Sequence, residues 1–167
     1  QAGEQATSGA DSTKVTPAIK GDADKSISHL KIPQGVTEEQ FAKASTLIKE
    51  NAKIKEIGGE IFVQGSRAKG TAKPTSDIDF GVRVSVERFD QLIKECFGIP
   101  NPGSQAEKTM LHAIETGKIQ YGEIKLAGFK IGKSFKKLIS DVMGKIDIDF
   151  SVIKANGPFD VGPFINL

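Results

Sequence analysis

The tetrapeptide Asp-Ile-Asp-Phe occurs at 77–80 and again at 147–150. Side chains alternate between the faces of a strand, so Asp77 and Asp79 project together from one face, as do Asp147 and Asp149 in the second copy. Carboxylates two residues apart on a strand suit hard divalent cations such as Mg²⁺ or Mn²⁺, which prefer oxygen ligands. Upstream stands Gly65-Ser66, separated from Asp77 by the ten residues Arg67–Ser76. Gly65 permits close backbone approach, and Ser66 offers a hydroxyl and a backbone N–H to a phosphate. Arg67, Lys69 and Lys73 carry charge that would neutralise a triphosphate. Together these residue types describe in-line nucleotide transfer: a hydroxyl attacks the α-phosphate, pyrophosphate leaves, and two cations roughly 3.5–4 Å apart stabilise both oxygens. A third carboxylate from a neighbouring strand would complete the ion nearer the attacking hydroxyl.

The elements that must position these groups can be read from apolar spacing. Thr37 and Gln40 form a capping box, and Phe41, Ala44, Leu47 and Ile48 then predict a helix from Glu38 to near Ile54. Ile57-Gly58-Gly59 reads as the turn out of it, and Ile61-Phe62-Val63 as a short buried strand ending at Gly65-Ser66. After a polar loop through Pro74, a strand over 77–84 keeps Ile78, Phe80, Val82 and Val84 on the face opposite the carboxylates. Ser85 then opens a helix bearing Val86, Phe89, Leu92, Ile93, Cys96 and Phe97, stopped by Gly98 and Pro100. Ser104 caps a further helix to about Thr116, closed by Gly117. From Gln120 to Ile131 the pattern does not separate strand from helix. Phe135, Leu138, Ile139, Val142 and Met143 define another helix before Gly144, and a strand over 145–154 follows with Ile146, Ile148, Phe150 and Val152 on one face. The alternation predicts an α+β fold, a small mixed sheet flanked by helices. The tail from Gly157 to Leu167 reads as an ordered extension packed by Phe159 and Phe164.

Composition sets the outer limits. At 167 residues and 38% hydrophobic the chain suffices for one domain with a core, and its net charge of +2 is too small to announce a nucleic-acid partner. A single cysteine excludes an internal disulfide and a cysteine-only metal cage, and Cys96 reads as a small buried hydrophobe. No apolar run reaches the length of a membrane span, and the first residues lack the pattern of a secretory signal. Residues 1–28 read as a flexible leader rich in Ala, Gly, Ser and Thr, and 29–167 as the domain, so that the chain resembles a fragment or processed product of something longer.

Gln64-Gly65-Ser66-Arg67-Ala68-Lys69-Gly70 followed by Ser76-Asp77-Ile78-Asp79-Phe80 resembles the signature of the polymerase-β-like nucleotidyltransferase superfamily. That family carries a hydrophobic strand, Gly-Ser, a loop of similar length, and Asp-x-Asp between apolar neighbours. The resemblance implies a minimal nucleotidyltransferase fold, a nucleoside triphosphate as substrate, and two-metal transfer of a nucleoside monophosphate. It implies that Gly65 and Ser66 bind the phosphates and that Asp77 and Asp79 bind both metals. A later strand supplies the third carboxylate; Asp149, followed by Phe150-Ser151-Val152-Ile153, matches that strand better, with Asp147 as neighbour or substitute. A narrower likeness, over about 29–167, is to nucleotidyltransferase toxin tips of bacterial polymorphic toxins, carried on rearrangement-hotspot repeat and toxin-complex proteins. Ile27-Ser28-His29-Leu30-Lys31-Ile32-Pro33, Thr109-Met110-Leu111-His112-Ala113-Ile114-Glu115-Thr116-Gly117 and the Gly-Pro-rich end carry it. It implies release from a secreted carrier, action in a target-cell cytoplasm on the 3′ end of tRNA or on a protein hydroxyl, and a cognate immunity protein.

Simpler readings stand beside these. Gly65 to Gly70 imitates the start of a nucleotide-hydrolase phosphate loop, but Thr71 stands where that motif requires Lys. His112 reads as a packed or hydrogen-bonded core histidine. Lys118 to Lys145 holds seven lysines against Glu123 and Asp141, either a solvated helix face or a track for RNA phosphates. Arg88 reads as surface charge, and Arg83 as surface charge or, from the carboxylate face, a partner for Asp79. With Tyr121 the single tyrosine and no tryptophan, base contact falls to Phe or Arg. The competing functions are a small-molecule nucleotidyltransferase of the antibiotic type and a catalytically inactive nucleotide-binding module.

Overall fold

The computed structural model of the chain describes residues 26–120 and 132–167. Five strands, β1 (Glu60–Gln64), β2 (Ile78–Val84), β3 (Lys118–Gln120), β4 (Ile148–Lys154) and β5 (Ile165–Asn166), form one sheet in the order β3-β4-β2-β1-β5. The two strands that carry the doubled tetrapeptide are its centre: β2 and β4 run parallel, in register from Ile78 with Ile148 to Val84 with Lys154. The other pairings, β1 with β2, β1 with β5 and β3 with β4, are antiparallel. Among the described residues the helices are α1 (Glu38–Glu50), α2 (Ala52–Ile57), α3 (Ser66–Lys69), α4 (Val86–Phe97), α5 (Gln105–Thr116) and α6 (Lys133–Val142). The α+β architecture expected from the alternation is present, and no helix among the described residues is long and apolar enough to cross a membrane.

The core lies on the sheet face opposite the carboxylates. Val63, Ile78, Phe80, Val82, Phe150, Val152 and Ile119 join Phe41, Ala44 and Ile48 of α1, Ile54 and Ile57 of α2, Phe89, Leu92 and Cys96 of α4, and Ile139 of α6 in one cluster. Phe80 and Phe150 stack at 5.1 Å between centroids, so the two tetrapeptides are joined through their aromatic residues. Each such fully buried side chain contributes about 1.5–3 kcal/mol. This burial holds β2 and β4 in the register that the site requires.

A second, smaller cluster of Phe62, Ile153 and Phe164 covers the far part of the carboxylate face. The tail supplies it: Phe164 is buried, β5 pairs with β1, and Phe164 N–H donates to the Ser26 carbonyl. Ser28 N–H donates in turn to the Phe164 carbonyl, so residues 26–28 lie alongside the tail. Arg83 lies 4.6 Å from the centroids of both Phe62 and Phe164 and is ion-paired with Asp160 at 2.8 Å and Glu60 at 2.9 Å. It pairs there because the tail brings a buried carboxylate to its strand position, which answers the expectation of a bond to Asp79.

Five differences from the sequence reading have local causes. The first helix divides at Asn51, whose side chain accepts from Lys53 N–H and Ile54 N–H and so caps α2 while ending α1. Residues 66–69 of the expected polar loop close into one helical turn, with Ala68 and Lys69 N–H donating to the Gly65 carbonyl. Edge strands β3 and β5 are too short to show a period. His112 is exposed, between exposed Leu111 and Ile114, because α5 buries only Ala113 fully. Arg88 donates to the Ile57 and Glu56 carbonyls and pairs with Glu95, tying α4 to the end of α2. The segment left undecided at 120–131 lies, apart from Gln120 in β3, outside the described residues.

Candidate active site

The register of β2 and β4 sets Asp79 beside Asp149 and brings Asp77 and Asp147 to the adjoining strand entries, where Ile78 N–H donates to the Asp147 carbonyl at 2.9 Å. On the other side of β2, Gln64 pairs with Asp79. The chain then turns at Gly65 directly against that carboxylate. Gly65 has φ +82° and ψ −161°, and a Cβ there would stand 2.5 Å from Asp79 Oδ2. Glycine is required twice over, for the backbone conformation and for the approach of the aspartate. Ser66, half-buried, opens α3, and its carbonyl accepts from Gly70 and Thr71 N–H.

Arg67 is placed otherwise than as a phosphate ligand. It is buried, and its guanidinium donates to the carbonyls of Ser76 at 2.9 Å, Gln34 at 2.7 Å, Lys73 at 3.4 Å and Pro74 at 3.3 Å. Five fixed donors on one planar group suit it to gathering loop carbonyls. It thereby anchors the loop between α3 and β2 to the segment before α1. Lys69 and Lys73 are exposed around the same loop. Ser76 Oγ accepts from Lys73 N–H, which tightens the approach to Asp77.

The electrostatics follow from crowding four carboxylates. Partial burial pushes the Asp77 carboxyl up, a hydrogen bond with Asp149 adds to this, and the charges of Asp149 and Asp147 add further, against the opposing charge of Lys136. Burial likewise pushes Asp79 up, followed by repulsion from Asp149; Lys118 opposes this, and Asp77 adds to it. Ionised carboxylates held this close favour a bound cation or a shared proton. Among the described residues no set of three or more His, Cys, Asp and Glu side chains is gathered at metal-ligating geometry. The donor set is nonetheless all oxygen and anionic, and burial followed by mutual repulsion raises two of its members, so it fits a hard divalent cation such as Mg²⁺ or Mn²⁺.

A cleft of about 560 Å³ opens beside the carboxylates, lined by Asp77, Asp147 and Asp149 together with Lys136, Lys137 and Lys145. Lys137 pairs with Asp141 at 3.0 Å. Of the seven lysines in the basic stretch, Lys136, Lys137 and Lys145 line this cleft, Lys118 stands near Asp79, Lys133 is exposed, and Lys125 and Lys130 lie outside the described residues. Lys118 and Lys136 were legible only as members of a basic run. Their approach to the aspartates depends on the pairing of β3 with β4 and on the packing of α6.

The chain has no match at significance among curated proteins, nor among solved structures. The family model of the nucleotidyltransferase domain matches residues 44–155, from the middle of α1 to the end of β4, a span that includes Gly65-Ser66 and all four aspartates. With the Gly-Ser turn set against the paired strands of Asp79 and Asp149, and this model covering most of the chain, the protein belongs to the nucleotidyltransferase domain family of the polymerase-β-like superfamily.

Proposed function

We propose that this domain transfers a nucleoside monophosphate from a nucleoside triphosphate to a hydroxyl of a macromolecule in the target cell, with release of pyrophosphate. The observation that carries the proposal is the union of Asp77, Asp79 and Asp149 with the Gly65-Ser66 turn at one end of the sheet. Asp77, Asp79 and Asp149 would hold the divalent cations, with Asp147 alongside. When bound, those ions supply Lewis-acid stabilisation of the entering and leaving oxygens. Backbone N–H groups at Gly65 and Ser66 cradle the triphosphate, while Lys69 and Lys73 offset its charge. Arg67 keeps the loop in place. Asp149 takes the proton of the attacking hydroxyl as that oxygen bonds to the α-phosphorus and the bond to pyrophosphate breaks.

The acceptor we favour is the 3′ end of tRNA, with a protein hydroxyl next. Support comes from the lysines that share the cleft with the carboxylates, cations of the kind that bind backbone phosphates. The likeness of residues 27–33, 109–117 and the Gly-Pro-rich end to polymorphic-toxin tips supports a toxin role, a larger secreted carrier, and a cognate immunity protein that masks the site. The test is incubation with cell lysate and each α-labelled triphosphate in turn, in Mg²⁺, followed by separation of RNA from protein. Label in tRNA is expected; label in protein moves the acceptor to a protein hydroxyl, and no macromolecular label refutes the proposal.

A further inference from the structure

Among the described residues Phe159 is one of the few large apolar side chains left exposed, at 41%. Unlike Phe164, it belongs to neither apolar cluster, so packing does not account for an aromatic residue there. Its backbone is fixed on the carboxylate side of the sheet: Gln64 Nε2 donates to the Phe159 carbonyl at 3.1 Å and to the Val161 carbonyl at 3.5 Å. Gln64 is the residue before Gly65 and pairs with Asp79. From the opposite side, Lys118 Nζ stands 4.9 Å from the Phe159 ring centroid, within the range of a cation–π contact. The same ammonium is close enough to Asp79 to oppose the upward push on its carboxyl. The Phe159 backbone is thus tied to β1 and its ring meets β3, across the two central strands that carry Asp79 and Asp149.

We infer that Phe159, backed by Lys118, is the platform on which the base of the nucleoside triphosphate stacks. This rests on the nucleotidyl-transfer reading of the site and extends it to the nucleoside. The base of the triphosphate fits better than a base of an RNA acceptor because Gln64, the residue before the Gly65-Ser66 turn, holds the Phe159 backbone beside that turn. The lysine-lined cleft beside Asp77 and Asp149 leaves separate room for the acceptor. An aromatic face stacks on any base, so the platform supplies affinity with little base preference.

The chain contains no tryptophan, so Phe159→Trp introduces a single fluorophore at the platform. Titration with ATP, GTP, CTP and UTP in Mg²⁺ should quench it, and inorganic tripolyphosphate, which has no base, should not. In parallel, Phe159→Ala should weaken calorimetric binding of the triphosphates about tenfold or more while leaving tripolyphosphate affinity unchanged. Equal triphosphate affinity in wild type and Phe159→Ala, or an equal loss for tripolyphosphate, would overturn the platform alone. A wild-type protein that binds neither probe would overturn the nucleotidyl-transfer reading and the platform with it.

Discussion

Gly65→Ala separates the two demands placed on the phosphate turn. The methyl group would stand 2.5 Å from Asp79 Oδ2, against roughly 3.4 Å for an ordinary contact, so the carboxylate must move by about 1 Å. A displacement of that size at a catalytic group costs about 100-fold in rate. The backbone conformation of Gly65, φ +82° with ψ −161°, adds strain of about 1–3 kcal/mol for any other residue. Gly70→Ala is the matched control. Gly70 also has positive φ, +84°, yet its nearest neighbour for a new Cβ is Leu30 Cδ1 at 3.5 Å, so it incurs about 1–2 kcal/mol of strain and leaves the aspartates in place. Both variants should melt a few degrees lower, about 2–6 °C, by circular dichroism. Initial rates of label transfer from an α-labelled triphosphate should fall about 100-fold in Gly65→Ala and less than about threefold in Gly70→Ala. Equal losses in the two variants would refute the argument that Gly65 exists to admit Asp79.

Asp79→Asn should abolish transfer while raising stability by about 0.5 kcal/mol, since it removes a like charge directly opposite Asp149; a lower denaturation midpoint would contradict this. Because the folded-state pKa of Asp79 is raised, its ionised form costs stability above that pKa, and the cost is relieved as pH falls through it towards the unfolded value. Without divalent cations, the stability gained by Asp79→Asn should therefore shrink on acidification, as read from urea midpoints across that range. Arg67→Met should cost about 3 kcal/mol by urea denaturation, because it leaves the loop carbonyls of residues 34, 73, 74 and 76 without their donor. Unchanged stability with a raised KM for triphosphate would instead make Arg67 a phosphate ligand. Cys96 is buried and its thiol is pushed up to about 11, so a thiol reagent at pH 7 should modify the native protein at least about 1,000-fold more slowly than the denatured one.

The parts of the site legible in the sequence are those that depend on strand periodicity and local turn chemistry. Alternation placed Asp77 with Asp79 and Asp147 with Asp149, and the apolar positions between them form the core. The caps at Thr37, Ser85 and Ser104 stand where hydroxyl residues precede helical spacing. What could not be read depends on contacts between distant segments. Arg67 looks like a phosphate ligand in one dimension, and becomes a loop anchor once Gln34 and Ser76 close around it. Arg83 shares a strand face with Asp79, yet Asp160, 77 residues later, takes it. Gln64 and Phe159 join across 95 residues through an amide and a backbone carbonyl, a contact with no sequence pattern.

The choice between the two aspartates of the second tetrapeptide tests the site most directly. Asp149 pairs with Asp79 and pushes the Asp77 carboxyl up ahead of Asp147, after burial. Label transfer from an α-labelled triphosphate to lysate macromolecules should be lost in Asp149→Asn, as in Asp77→Asn, and retained in Asp147→Asn. Transfer that survives Asp149→Asn with the fold intact would contradict the account.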